Sequence, residues 1–189
     1  GIRAELTGLD MPALIARKRK IVRQLTSGVK SSVQAAGAEI VGQKAIIRSV
    51  SAGIATVEAG EQAYEGRRLL IAAGSEILVP PIPGLAEALA GGTAITSREA
   101  LELESVPERM VVIGAGVIGL ELAGFYRSAG TEIEVVELTD HIGGNMDRET
   151  AAALRKQYER KGIRFHLSAR VTRIDDKQVS IEGPEGESA

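Results

Sequence analysis

The chain has 189 residues, 44% of them hydrophobic and 25% charged, with a formal net charge of −2. That apolar fraction supports a real core and argues against disorder, and no apolar run approaches the ~20 residues of a membrane-spanning helix. Near-neutral charge and only two Phe and three Tyr give no footprint for nucleic acid, and the absence of cysteine excludes a disulfide or thiolate built from these residues alone.

The length predicts one large domain or parts of two. Near the start, Asp10 is placed to cap a helix with Pro12 in its first turn. Leu14, Ile21, Leu25 and Val29 then recur at close to helical spacing, with Gly28 as a local weakness. Arg17-Lys18-Arg19-Lys20 on this helix reads as a solvated face, with partner docking as the competing reading. Three short β-rich runs follow, Ala45–Val50, Gly53–Glu58 and Arg68–Ala72, separated by turns at Ala59-Gly60-Glu61 and Glu65-Gly66. Val79 to Pro83 contains three of the six prolines and reads as a linker.

Beyond the linker the pattern alternates. Met110–Ile113 predicts a strand, Val117–Ser128 a helix ended by Gly130, and Ile133–Val136 a second strand. Asp147–Arg160 predicts a helix stopped by Gly162, and Ile163–Leu167 a third strand. Such alternation is the mark of an α/β fold with a parallel sheet, expected to be covered on both sides.

Gly114-Ala115-Gly116-Val117-Ile118-Gly119 lies at the junction of the first of these strands and its helix. The spacing suits a dinucleotide: Gly114 for a sharp turn, Gly116 for close approach to a pyrophosphate, Gly119 for helix–strand packing. The helix start would present free N–H groups to the phosphates. A GxGxxG alone is weak, but here Ala123 and Gly130 are small where the helix crosses the sheet and ends. The next strand also leads into Glu137, 18 residues after Gly119. A carboxylate there accepts hydrogen bonds from an adenosine ribose and repels a 2′-phosphate, which predicts NAD rather than NADP. The bland alternative is a tight strand–helix turn that binds nothing. Glu121 is expected in the first helical turn, either facing a nicotinamide or only complementing the helix dipole. His141 and His166 have no companions at metal-ligand spacing, so no metal site is expected.

With those motifs in view, the chain resembles the dihydrolipoyl dehydrogenases. The likeness rests on Leu69-Leu70-Ile71-Ala72-Ala73-Gly74-Ser75-Glu76 and on Ser105 through Glu121. Leu25-Thr26-Ser27-Gly28-Val29 and Thr96-Ser97-Arg98-Glu99-Ala100-Leu101 add to it. The resemblance covers nearly the whole chain. It implies a homodimeric flavoenzyme that oxidises dihydrolipoyl groups of 2-oxoacid dehydrogenase or glycine cleavage complexes. Electrons then pass through a disulfide and FAD to NAD⁺.

On this resemblance, residues 1–80 form part of an FAD-binding domain, 81–106 a linker or crossover, and 107–189 a Rossmann-like NAD-binding domain lacking its last strands. Ala73, Gly74 and Ser75 touch FAD, as does Lys44, where the family has a small residue. Gly114 to Gly119 hold the NAD pyrophosphate, Glu137 the ribose, and the Val171 backbone meets the adenine. Glu121 lies beside the nicotinamide. The redox disulfide and the first FAD loop would precede Gly1, and the dimerisation domain would follow Ala189.

Gly1-Ile2-Arg3-Ala4 does not look like a natural start, and the turn-like stretch from Glu182 to Ala189 does not look like a natural end. A central fragment, inactive alone and cytoplasmic as part of its parent, is therefore the expectation. Two alternatives stand beside it. One is another NAD-dependent flavin oxidoreductase of the same architecture, such as an NADH oxidase; glutathione and mercuric reductases use NADPH, which Glu137 disfavours. The other is a non-catalytic NAD-binding module.

Overall fold

A computed structural model describes residues 1, 3, 8–175, 178–184 and 186–188. They form two compact units, one of residues 1–18 and 78–189 and the other of residues 19–77. The first 18 residues group with the larger unit. Among the described residues, no helix is long and apolar enough to cross a membrane.

Helix α1 (Met11–Ala35) begins in the larger unit and ends in the smaller. Its start is capped as expected, with the Ala13 N–H donating to Asp10 Oδ1 at 2.9 Å. Met11 and Ile15 are buried, whereas Ile21, Val22, Leu25, Val29 and Val33 are exposed. Lys18 leaves the expected solvated run to pair with Glu102 and the Leu101 carbonyl.

The rest of the smaller unit is an antiparallel meander of β1 (Ala45–Ser51), β2 (Ile54–Ala59) and β3 (Gln62–Gly66). Two-residue connections at Ala52-Gly53 and Gly60-Glu61 set its register. Two expectations change here. Glu65-Gly66 is not a turn but the end of β3, because the tight connection at residues 60–61 folds the following residues straight back onto β2. Arg68–Ala72 is not a strand: among the described residues no strand pairs with it, and Leu70 is 89% exposed. Backbone polar groups need a ladder partner to make a strand, whatever the side-chain propensity.

The larger unit carries the α/β layer. Residues 81–106, expected to be a linker or crossover, contain α2 (Leu85–Gly91) and α3 (Ser97–Ala100). Strand β4 (Arg109–Ile113), helix α4 (Val117–Ala129), strand β5 (Glu132–Val136), helix α5 (Arg148–Arg160) and strand β6 (Arg164–His166) follow. The three strands are parallel in the order β4-β5-β6. Met110, Val112, Ile133, Val135 and Phe165 point to one face. They pack there with Leu120, Ala123 and Tyr126 of α4 and with Ala151, Leu154 and Tyr158 of α5.

Both helices therefore cover the same face, which corrects the expected two-sided cover. Sequential strand order combined with right-handed crossovers leaves no other choice. The opposite face carries an ion-pair ladder instead. Arg164 donates to Glu132 at 2.7 Å and to Glu134 at 2.6 Å, and His166 Nε2 lies 2.7 Å from Glu134. The Arg164 hydrogen bond, aided by His166, outweighs partial burial and holds the Glu134 carboxyl below its ordinary range.

A second meander, β7 (Arg170–Asp175), β8 (Gln178–Gly183) and β9 (Gly186–Ser188), follows β6. The sequence reading missed β7, and β9 stands where a turn-like end was expected. Residues 185 and 189 of that stretch, like Ile2 and Ala4 at the other end, lie outside the described residues. Ala169 and Ile181 close on Val136, so the meander reaches the second face of the sheet at the end of β5. Replacing the fully buried Ile133 with Ala should cost about 3 kcal/mol of unfolding free energy by chemical denaturation, since its side chain is enclosed between the sheet and α4.

Candidate nucleotide site

The site begins where β4 ends. Gly114 donates its N–H to the Val136 carbonyl at 2.8 Å, which extends the parallel ladder by one bond. The chain then turns at φ +99°, a conformation that favours glycine. Gly119 is required for a different reason. A Cβ built there would lie 2.3 Å from the Gly114 carbonyl oxygen and 3.3 Å from Val112 Cγ1, so any side chain would lever α4 off the strand.

Gly116 differs from both. Its backbone is extended (φ −70°, ψ 175°), and a Cβ would meet no atom within 4 Å. Neither its conformation nor its neighbours call for glycine. The bare backbone there leaves the helix start open to an approaching group the size of a pyrophosphate. Helices α3 and α5 open on side-chain caps, Thr96 with Glu99 and Asp147 respectively. Helix α4 opens on Gly116 with no side-chain cap, which leaves its first N–H groups open to an anion.

Glu137 continues β5, its N–H donating to the His166 carbonyl at 2.9 Å. Its side chain folds back on the glycine loop. Oε2 accepts the Ala115 N–H at 2.8 Å, and Oε1 accepts both the N–H and the hydroxyl of Thr139 at 2.9 Å. Partial burial alone would raise this carboxyl's pKa. The hydrogen bonds from Thr139 and Ala115 and the nearby His141 ring prevail and hold it low. Glu137 is thus an ionised latch between strand end and glycine loop, a link that spacing alone did not reveal.

The neighbouring loops lock onto the same atoms. Gly143 donates its N–H to the Ala115 carbonyl at 2.7 Å. Ser168 and Ala169 donate theirs to the carbonyls of Thr139 and Glu137 at 2.9 and 3.0 Å. Ser168 sits at φ +51°, a strained position for a residue with a side chain. Beside it, Leu138, Ser168, Ala169, Arg170, Glu182 and Gly183 line a concavity of about 310 Å³. Val171, the expected adenine contact, lies just beyond on β7 and packs towards Val136 and Ile181.

The other expected residues are less tightly drawn in. Glu121 is the fifth residue of α4, so it lies past the first turn and is exposed on the side that carries Val117 and Ile118. Lys44 lies just before β1, and Ala73, Gly74 and Ser75 lie in irregular backbone beyond β3, all exposed in the smaller unit. Gly74 is accounted for by its own φ of +76°.

With this geometry in hand, comparison with known proteins gives a consistent result. Residues 3–188 match the family described as pyridine nucleotide-disulphide oxidoreductase, and the chain belongs to that family. It is 34% identical over 180 residues to the dihydrolipoyl dehydrogenase of Acholeplasma laidlawii, spanning 94% of this chain and 52% of that protein. Against the dihydrolipoyl dehydrogenase of Pseudomonas aeruginosa it is 34% identical over 188 residues, spanning 99% and 39%. The chain thus spans about half or less of the length of these relatives. In fold it resembles LpdA of Mycobacterium tuberculosis, with a TM-score of 0.77 at 17% identity over 96% of this chain and 40% of that one. It also resembles the HOCl-induced flavoprotein disulfide reductase RclA of Escherichia coli, with a TM-score of 0.70 at 22% identity over 95% and 40%.

The two helix-start glycines should separate cleanly in thermal and chemical unfolding. Gly119→Ala is expected to cost about 3 kcal/mol, whereas Gly116→Ala should stay within about 0.5 kcal/mol of the parent. Glu137 gives a pH signature. Its pKa is lower in the folded state, so its stabilisation is complete above the unfolded value of about 4.3 and is lost as pH falls through the folded value. Glu137→Gln should therefore lower unfolding free energy by about 1 kcal/mol at neutral pH, with the gap closing towards about pH 3.

Proposed function

We propose that this chain is the NAD-binding central part of a dihydrolipoyl dehydrogenase. In the parent, NAD⁺ held there would accept a hydride, and the relatives' names point to dihydrolipoyl groups as the electron source. The observation that carries the reading is Gly116, a glycine that neither its conformation nor its neighbours require, at an uncapped helix start beside the ionised Glu137.

Each residue has a definable task. The N–H groups of Val117, Ile118 and Gly119 receive the pyrophosphate, and the missing Cβ at Gly116 lets it reach them. Glu137 already accepts three hydrogen bonds of the roughly four a carboxylate can take, which leaves room for a ribose hydroxyl. The concavity beside Leu138 and Ser168 suits the adenine, with Val171 next along β7 after its lining residue Arg170. The exposed Glu121 side of α4 would look towards the nicotinamide. When bound there, NAD⁺ supplies the acceptor for a hydride.

For FAD the described residues give no comparable sign. Gly74 is explained by its own backbone and Lys44 is an exposed cation, so neither points to a flavin. The dithiol relay needs cysteines that these 189 residues do not contain. The homodimer and the lipoyl-bearing complexes belong to the same proposal for the parent.

Calorimetric titration of the chain with each nucleotide tests the reading. NAD⁺ should bind at least about tenfold more tightly than NADP⁺, because the 2′-phosphate would meet the Glu137 carboxylate. Gly116→Ala should weaken NAD⁺ by about tenfold or more without lowering the melting temperature. Equal affinity for the two nucleotides, or no effect of Gly116→Ala, would remove the proposal. Dihydrolipoamide and NAD⁺ added to the chain alone should yield no NADH.

A further inference from the structure

The loop between Glu137 and α5 contains an arrangement that the nucleotide reading does not require. His141 is tucked into its own loop, with its side chain 22% exposed. Its Nδ1 lies 3.0 Å from Asp140 Oδ1, and its Nε2 lies 3.0 Å from the Gly144 carbonyl oxygen. A peptide carbonyl is only ever an acceptor. Asp140 is an acceptor as well, because Arg148 at the start of α5 donates to the same Oδ1 at 2.8 Å. Arg148 first, then His141, keeps that carboxyl ionised. Neutral imidazole carries one N–H and can satisfy only one of these oxygens, whereas imidazolium satisfies both.

What the ring fastens matters. The Thr139 hydroxyl lies 2.9 Å from both the His141 carbonyl oxygen and Glu137 Oε1, and its single proton serves one of them at a time. On the other side, Gly143 holds the Ala115 carbonyl of the glycine loop. Ile142 between them is buried in the core. His141 thus ties together the two ends of the loop that fix the ribose acid and the glycine turn.

We infer that His141 is a positioning residue for the nucleotide. Its protonated ring clasps residues 140–144 into the form that holds Ala115 and Thr139, and the clasp opens as pH rises. This rests on the NAD reading above.

The charged groups facing the ring are Asp140, Arg148 across it, and Glu137 from the end of β5. The carboxyls of Asp140 and Glu137 are both held below their ordinary range and stay ionised acceptors beside the ring. The sign follows: NAD⁺ binds more tightly to the protonated form, and affinity falls with rising pH. Loss of one ring hydrogen bond sets the scale at about two- to tenfold.

The experiment is NAD⁺ titration of the 189-residue chain at about pH 5.5 and about pH 8, with His141→Phe and Asp140→Asn alongside. The parent should weaken by about two- to tenfold across that range, and His141→Phe should be flat. Asp140→Asn should also be flat, because the new amide can donate to a neutral Nδ1 and keep the clasp shut. A slope arising from His166 would survive in both variants and so overturn the inference, as would a flat parent profile. In parallel, the Ala115 and Gly143 amide resonances should titrate with the midpoint of the His141 ring; if they stay fixed while the ring titrates, the clasp does not reach the glycine loop. NAD⁺ binding without the pH slope removes this inference alone, whereas no binding at either pH removes the nucleotide reading with it.

Discussion

The closeness of α4 to the end of β4 sets the geometry of the larger unit. Gly119 brings the helix so near the Gly114 carbonyl that even a methyl group would be forced to within 2.3 Å of it. That contact fixes where the helix starts and which way its first N–H groups point. It also fixes how Leu120, Ala123 and Tyr126 meet the sheet. Ala123 is fully buried for the same reason, because a larger residue one turn further along would undo the approach.

A helix seated this closely leaves an uncapped, partly positive end, and the structure surrounds it with one ionised carboxylate. Glu137 accepts hydrogen bonds from the loop before the helix and from the turn after β5. Such hydrogen bonds are stronger than neutral ones. The two loops are further joined by the backbone bond from Gly143 to Ala115, and Ser168 and Ala169 anchor the next segment to the same turn. Three stretches distant in sequence thus share one small hydrogen-bonded node, and a change in any of them bears on the others.

The apolar spacing of α1 was legible because side chains three and four residues apart share a helical face. Where that face goes was not legible: Leu25 and Val29 are exposed here, while Met11 and Ile15 enter the core. Arg68–Ala72 makes the same point from the other side. It has strand-like residues, yet strands are defined by pairing, and pairing is a property of the neighbours. Residues 81–106 read as a linker because prolines crowd their start, but Leu85 and Ala88 bury against Ile174.

The sequence by itself determined the order of strands and helices around Gly114–Gly119 and the acid at the end of the second strand. Those features follow from local periodicity and from glycine's missing side chain, which a sequence displays directly. Only the tertiary structure decided the rest. It separated Gly119, needed for packing, from Gly116, where a Cβ would meet nothing in the chain. It put both helices on one face of the sheet, turned Glu137 back onto Ala115, and set His141 between two acceptors. Each depends on distances between atoms far apart along the chain, which composition and spacing do not encode until the backbone has closed.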